Sequence, residues 1–472
     1  MNDMTIEHDR DEIAEMSLQQ LSSAYLSTQL SPVEVTRHML ERSRRVNGKI
    51  NAIYYFDEEG ALRTAKEAEA RYRKGQSLGM FDGVPTTIKD ALPLRGMPTF
   101  RGAASTSDDG IYYDWNAPAV DRLLEAGAVI LGKNTMCDFG IIASGVSSRH
   151  GITRNPWNLL RTPGGSSSGA AACVAAGLTP AALGTDIVGS IRLPASYCGL
   201  VGMKPSYGRV PYYSPNSPAL VAGPLARSVH DAAAMLDIIS RPDARDFTSL
   251  RTERLDFLAN VDRVPLKPRI RLVPSLGFGA EPDAEVVEAV RRAARLFESE
   301  GAIVEEAPVP AFDQHAIAMA EKFYRARTFA ELEQALPERQ KATKLMYDWT
   351  RETKNDSALD IMQAQQYMLQ LRESTIRLID NFDFMILPST PTTAFSAESV
   401  APEGASLFDA WGNNFLFNLT EQPALSINCG FSSEGMPIGL QIVGRRFDDL
   451  GVMQLGRLFE LFGHQRPNPA PI

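Results

Sequence analysis
Apolar positions lay out the elements of the chain before any single residue stands out. Near the N-terminus Ile13, Met16, Leu18, Leu21, Leu26 and Leu30 recur at helical spacing, and Ser31-Pro32 reads as an N-cap followed by a first-turn proline. The next helix carries Val35, Met39 and Leu40 down to Val46, and a third, Glu58–Arg73, is rich in Ala and Glu. After Gly83 the pattern shortens. Residues 84–88, 129–131 and 181–183 are brief apolar runs that predict strands, with a helix at 119–126 between the first two. Residues 269–273, 302–304, 384–387 and 438–443 predict further strands. The stretch 283–300, apolar at Val286, Val287, Val290, Ala294 and Phe297, predicts an amphipathic helix. Residues 313–380 read almost wholly helical and are expected to cap one end of a sheet. This alternation is the α/β signature, and the charged stretch 241–263 is the expected surface connection between its halves.

Composition narrows the classes of function. The chain has 472 residues, 48 basic against 57 acidic, for a net charge of −9. Such a balance carries no basic footprint for nucleic acid or for an anionic membrane surface, so neither is an expected partner. Cys137, Cys173, Cys198 and Cys429 form no CxxC pair, so they are expected as isolated buried thiols, with no metal site or disulfide framework. Residues 1–10 have no apolar core, and no run approaches the ~20 apolar residues of a membrane span, so a reducing cytoplasm is the expected setting.

One segment is unusual: Thr162-Pro163-Gly164-Gly165-Ser166-Ser167-Ser168-Gly169, which runs into the small-residue stretch Ala170 to Ala176. Its backbone is therefore held at a helix N-terminus, where unpaired N–H groups favour negative charge. A phosphate loop would need a following Lys-Ser or Lys-Thr, which is absent. A nucleophile elbow fits Gly165-Ser166-Ser167-Ser168-Gly169, but needs a strand before it; residues 155–163 hold two prolines and two asparagines and read as a loop. Its required histidine would have to be His230, His315 or His464, none in a distinctive setting.

A third reading joins two more segments. Gly184-Thr185-Asp186-Ile187-Val188-Gly189-Ser190-Ile191-Arg192 again places a serine after a glycine, between an acid and a base. Gly83-Val84-Pro85-Thr86-Thr87-Ile88-Lys89-Asp90 ends an apolar strand on a lysine, where an ammonium is costly to bury unless neutral or paired. Amide cleavage needs a nucleophile, a base, an acid for the leaving nitrogen and donors for the oxyanion; Ser–Lys pairs are a known way to provide them.

These three segments resemble those of the amidase signature family, with Lys89 77 residues before Ser166 and Ser166 24 before Ser190. The resemblance extends to Leu387-Pro388-Ser389-Thr390-Pro391, Gln422-Pro423-Ala424 and the segment from Gly435 to Gly444. It implies a large mixed central sheet flanked by helices on both faces, with a helical N-terminal region (1–80), a catalytic core (81–240), a second α/β half (241–312), a helical cap or insertion (313–382) and a C-terminal return to the sheet (383–472). It implies Ser190 as nucleophile, Ser166 in a cis peptide bond as proton relay, and Lys89 as base. The backbone N–H groups of Ile187, Val188, Gly189 and Ser190 would form the oxyanion hole. Asp186 and Arg192 would brace the loop, and Ser167 would either support the serine turn or cap the helix.

The chain departs from the family where Val188 and Ser168 replace a frequent glycine and Ala170 a frequent serine. Val188 matters most, because a β-branched residue resists positive φ. Cys198 and His150 are expected to be structural. The implied activity is hydrolysis of a small-molecule amide or hydrazide-like C–N bond through an acyl-Ser190, without cofactor, in a chain whose relatives are commonly homodimers. Two alternatives stand beside it: the glutaminase-type amidase subunit of a tRNA-dependent amidotransferase complex, and a binding protein without turnover. Phe139, Ile141, Ile142, Trp157, Tyr197, Tyr347 and Trp349 are candidates for an apolar substrate pocket or for ordinary packing.

Overall fold
The computed structural model describes residues 12–213, 219–251, 255–265, 267–310, 312 and 314–462; residues 1–10 and His464 lie outside them. The strands, in chain order, are β1 (Ile53–Phe56), β2 (Pro85–Lys89), β3 (Val129–Asn134), β4 (Val146–Ser147), β5 (Gly151–Ile152), β6 (Ala181–Asp186) and β7 (Val201–Lys204), followed by β8 (Val221–Ala226), β9 (Arg269–Leu272), β10 (Ile303–Glu306), β11 (Phe384–Pro388), β12 (Ala424–Phe431) and β13 (Pro437–Val443). Eleven of them form one mixed sheet in the order β1-β3-β2-β6-β8-β7-β12-β13-β11-β9-β10, while β4 and β5 pair separately.

Period-2 alternation divides each central strand between two cores. On β11, Phe384 and Ile386 join the hydrophobic cluster that holds helices Ala284–Ser299 and Asp449–Leu461. Met385 and Leu387, pointing the other way, join the cluster that holds Gln314–Leu332, Ala358–Arg377 and Gly412–Leu419. Helices therefore cover both faces of a large mixed sheet. Among the described residues no helix is long and apolar enough to cross a membrane.

Helix starts follow local chemistry. Ser31 and Glu34 form a capping box with Pro32 in the first turn of Pro32–Ile50, and Ser17 with Gln20 does the same for Leu18–Leu26. All seven predicted strand runs lie in the large sheet. Four strands of that sheet were not predicted, β1, β7, β8 and β12, nor was the separate pair β4 and β5. In β8 the reason is Pro224, which normally argues against a central strand; here the ladder to β7 ends at Gly202–Leu225 and leaves Pro224 outside it.

The fold creates the site where β2 and β6 run side by side in parallel, paired at Ile88–Leu183. Their C-terminal ends bring Lys89 and Thr185 together, at the edge where α/β sheets usually bind ligands. The loop ending in helix Ser168–Ala175 and the turn leading into helix Arg192–Cys198 complete it.

Candidate active site
Lys89 is fully buried. Its ammonium has three protons to place, and three hydroxyls stand in reach: Nζ donates to Ser166 Oγ at 2.8 Å, Ser167 Oγ at 2.9 Å and Thr185 Oγ1 at 2.8 Å. No carboxylate pairs with it among the described residues. Burial therefore dominates and pushes its pKa from 10.5 down to about 7, with the Arg101 guanidinium adding to the effect. A lysine in that state is half neutral near physiological pH and can take a proton.

The Gly165–Ser166 peptide bond is cis. Gly140, at φ 73°, lies behind Ser166, where an added Cβ would stand 3.3 Å from Ser166 Oγ. Ser167 precedes helix Ser168–Ala175 but makes no side-chain cap. Its Oγ instead accepts from Lys89 and from the Thr185 N–H at 3.3 Å.

Ser190 is buried and its Oγ has no hydrogen-bond partner among the described residues. It shares a cavity of about 20 Å³ with Ser166, Thr185, Ile187, Phe139, Gly140, Met136, Arg101 and Arg327. That is room for roughly one water. An unpartnered buried hydroxyl is uncommon and costly, and one facing a cavity is placed to meet a substrate.

The turn before Ser190 is folded around Asp186. Its carboxylate accepts the Gly189 N–H at 2.7 Å and the Ile191 N–H at 3.1 Å, and Arg192 grips the same two oxygens at 2.9 and 3.0 Å. The Gly189 N–H, expected as an oxyanion donor, is thus already committed. The N–H groups of Ile187, Val188 and Ser190 are taken by no hydrogen bond among the described residues. Gly189, at φ 131°, absorbs the left-handed backbone that the turn needs, so Val188 stays out of it. A Cβ at Gly189 would collide with Asn414 Cβ at 2.6 Å.

Arg192 is fully buried and spends its remaining donors on Asn414 O, Gln441 Oε1 and Asn418 Oδ1, at 3.0, 2.7 and 2.5 Å. Asn418 also donates to Asp186 Oδ1 at 2.9 Å. Burial alone would raise the Asp186 pKa; the charge and hydrogen bonds of Arg192, with Lys204 and Asn418, outweigh it and hold the carboxyl at about 2. This is a charge-balanced buried pair with its donors satisfied.

Asn414, Asn418, Gln441, Thr185 and Gly140 escaped the sequence reading. The first three lie 222 or more residues from Arg192, and only packing brings them near. Thr185 was legible as the neighbour of Asp186 on a strand parallel to that of Lys89. Of the apolar-pocket candidates only Phe139 lines the cavity. Trp157 donates to Cys198 O, Trp349 to Glu321, and Tyr197 packs edge-on against Phe395. Cys198 is buried, with its thiol directed at Pro163 O, and burial pushes its pKa up. His150 stacks on Tyr54 and bonds Asp90 at 3.1 Å, which places it in the wall behind the lysine strand. His230 pairs with Asp262, and His315 packs against Tyr367.

Similarity to known proteins extends over nearly the whole chain. The Amidase family profile matches residues 34–453. The A subunit of glutamyl-tRNA(Gln) amidotransferase from Moorella thermoacetica is 34% identical over 95% of this chain and 97% of its own. An acylamidase of Rhodococcus erythropolis is 32% identical over 94% and 95%. The crystal structure of a bacterial aryl acylamidase superposes with a TM-score of 0.87 at 27% identity, covering 95% of this chain and 96% of that one. The chain belongs to the amidase signature family, whose members are hydrolases of C–N bonds.

Proposed function
We propose that the chain hydrolyses a small-molecule amide through Ser190, with Ser166 as relay and Lys89 as base. The observation that carries the reading is a buried, carboxylate-free lysine 2.8 Å from Ser166 Oγ, in one cavity with the unpartnered Ser190 hydroxyl. Neutral Lys89 Nζ takes the Ser166 proton as Ser166 Oγ takes that of Ser190. Ser190 Oγ attacks the carbonyl carbon, and the oxyanion rests against the N–H groups of Ile187, Val188 and Ser190. Each such donor contributes about 3–4 kcal/mol to the transition state. The proton returns through Ser166 to the leaving nitrogen, the C–N bond breaks, and water releases the carboxylic acid by the same relay.

The test is a panel of amides, anilides and hydrazides with the purified chain, beside labelling by a fluorophosphonate. Turnover and a probe adduct on Ser190, both lost in Ser190→Ala, are expected. A protein that neither turns over nor labels would refute the reading. The similarity to the amidotransferase relatives favours a second one, an amidase component that works in a complex. Ammonia release from glutamine only on adding partner chains would select it.

A further inference from the structure
A second cavity, of about 400 Å³, opens outside the serine pocket. The two share Ala91, Arg101, Tyr212 and Arg327, so a substrate reaching from one into the other passes between these side chains. We infer that the outer chamber is an aryl subsite, and that the preferred substrate carries an aromatic ring set off from the scissile amide by a short linker; the inference rests on the amidase reading above.

Size is the first argument. The cavity at Ser190 holds about 20 Å³, so it leaves space for the reacting group but not for a ring. A ring bonded directly to the amide would lie in the junction, among charged side chains that face one another: Glu331 pairs with Arg101 and, at 3.3 Å, with Arg327. The chamber beyond, at about 400 Å³, has the volume for a ring.

The wall of the chamber supplies the partners. Tyr113, Trp115, Tyr212 and Tyr213 all line it. Trp115 packs edge-to-face with Tyr113 and with Tyr213, at centroid distances of 5.2 and 4.8 Å. Tyr213 is nonetheless 40% exposed, so internal packing does not use up this aromatic surface. Aromatic rings attract another ring beyond the area they bury, a gain that a saturated ring of similar size does not collect. The wall is also held in place beforehand. Arg95 donates from its backbone N–H to Asn116 Oδ1 at 2.7 Å and from Nε to Asp114 O at 3.0 Å, on either side of Trp115. In the other segment, the Tyr212 N–H donates to Asp246 Oδ2 at 2.8 Å. A subsite fixed before binding loses less ordering entropy when it is filled.

The experiment measures kcat/KM for phenyl amides against their cyclohexyl counterparts. The acyl-side set is benzamide, 2-phenylacetamide, 3-phenylpropanamide and 4-phenylbutanamide; the amine-side set is acetanilide, N-benzylacetamide and N-(2-phenylethyl)acetamide. Beyond the first member of each set, methylenes insulate the amide from the ring, so the intrinsic reactivities within a pair are close. Binding is read as protection of Ser190 from a fluorophosphonate probe, so a slow substrate still reports. In at least one set the linked phenyl members are expected to exceed their cyclohexyl partners by about two- to tenfold. The set that shows it assigns the chamber to the acyl or the amine side. The ratio should fall towards one in the double variant Trp115→Leu, Tyr213→Leu, which keeps apolar bulk and removes the ring faces. Being a ratio, it is insensitive to loss of folded protein. A labelled Ser190 with no phenyl preference in either set, a preference confined to benzamide or acetanilide, or one that persists in the double variant overturns the subsite and leaves the amidase reading standing. An unlabelled, inactive protein overturns both.

Discussion

Lys89 is where burial becomes chemistry. Its lowered pKa of about 7 means that the base form is gained as pH rises. kcat/KM is expected to climb through about pH 7 and level off above it, read from a pH–rate profile on any turned-over amide. Thr185→Val keeps the shape but removes one acceptor of the ammonium, so the midpoint of that profile should move to lower pH. Linkage carries the same sign into stability. The unfolded lysine titrates near its ordinary 10.5 and the folded one near 7, so between those values the unfolded chain binds the extra proton and stability rises with pH. Melting curves of wild type and Lys89→Met should show their difference changing in the wild type's favour from pH 7 to 10. Ser190→Ala should lower kcat roughly ten-thousand-fold while leaving the melting temperature nearly unchanged, since its hydroxyl has no partner to lose.

The turn from Asp186 to Arg192 shows an element held from outside its own sequence. Asp186 folds the turn onto itself, but Arg192, Asn414, Asn418 and Gln441 fix where it sits against the sheet and helix Gly412–Leu419. Arg192→Lys keeps the charge and loses the fork that satisfies four groups at once. About 1–3 kcal/mol of stability should go for each acceptor left buried without a donor, measured by chemical denaturation, because one ammonium cannot reach all the groups the guanidinium held. Where the variant folds, kcat should fall more than KM rises, because it is the donors of the Ile187–Ser190 turn that move.

At the scale of the molecule, one continuous sheet with helices on both faces separates packing from chemistry. Phe297 lies fully buried against Phe459 and Phe462 in the core on the face away from the insertion helices. Phe297→Ala should cost about 3–5 kcal/mol in denaturant unfolding and leave kcat per folded molecule unchanged. The insertion acts in the opposite sense. Helix Gln314–Leu332 contributes Arg327 to the cavity that holds Ser190, so changes there should alter KM before stability.

Much of this was legible along the chain, because some features depend only on neighbours. Apolar period marked the strands at 84–88 and 384–387, capping chemistry marked the start of helix Pro32–Ile50, and the spacing of Lys89, Ser166 and Ser190 marked the family. Strand β8 was hidden, since whether Pro224 breaks a ladder depends on where the neighbouring strand stops. The carboxamides around Arg192 and the Arg101–Glu331–Arg327 cluster were hidden for a related reason. Their partners are separated by up to 249 positions, and no local period records such a distance. Which of the proposed oxyanion donors stays free was likewise a matter of which acceptor arrives first, and at Gly189 it is Asp186. Local sequence chose the residues with the right chemistry; only the packed chain could set their burial, their partners and therefore their protonation.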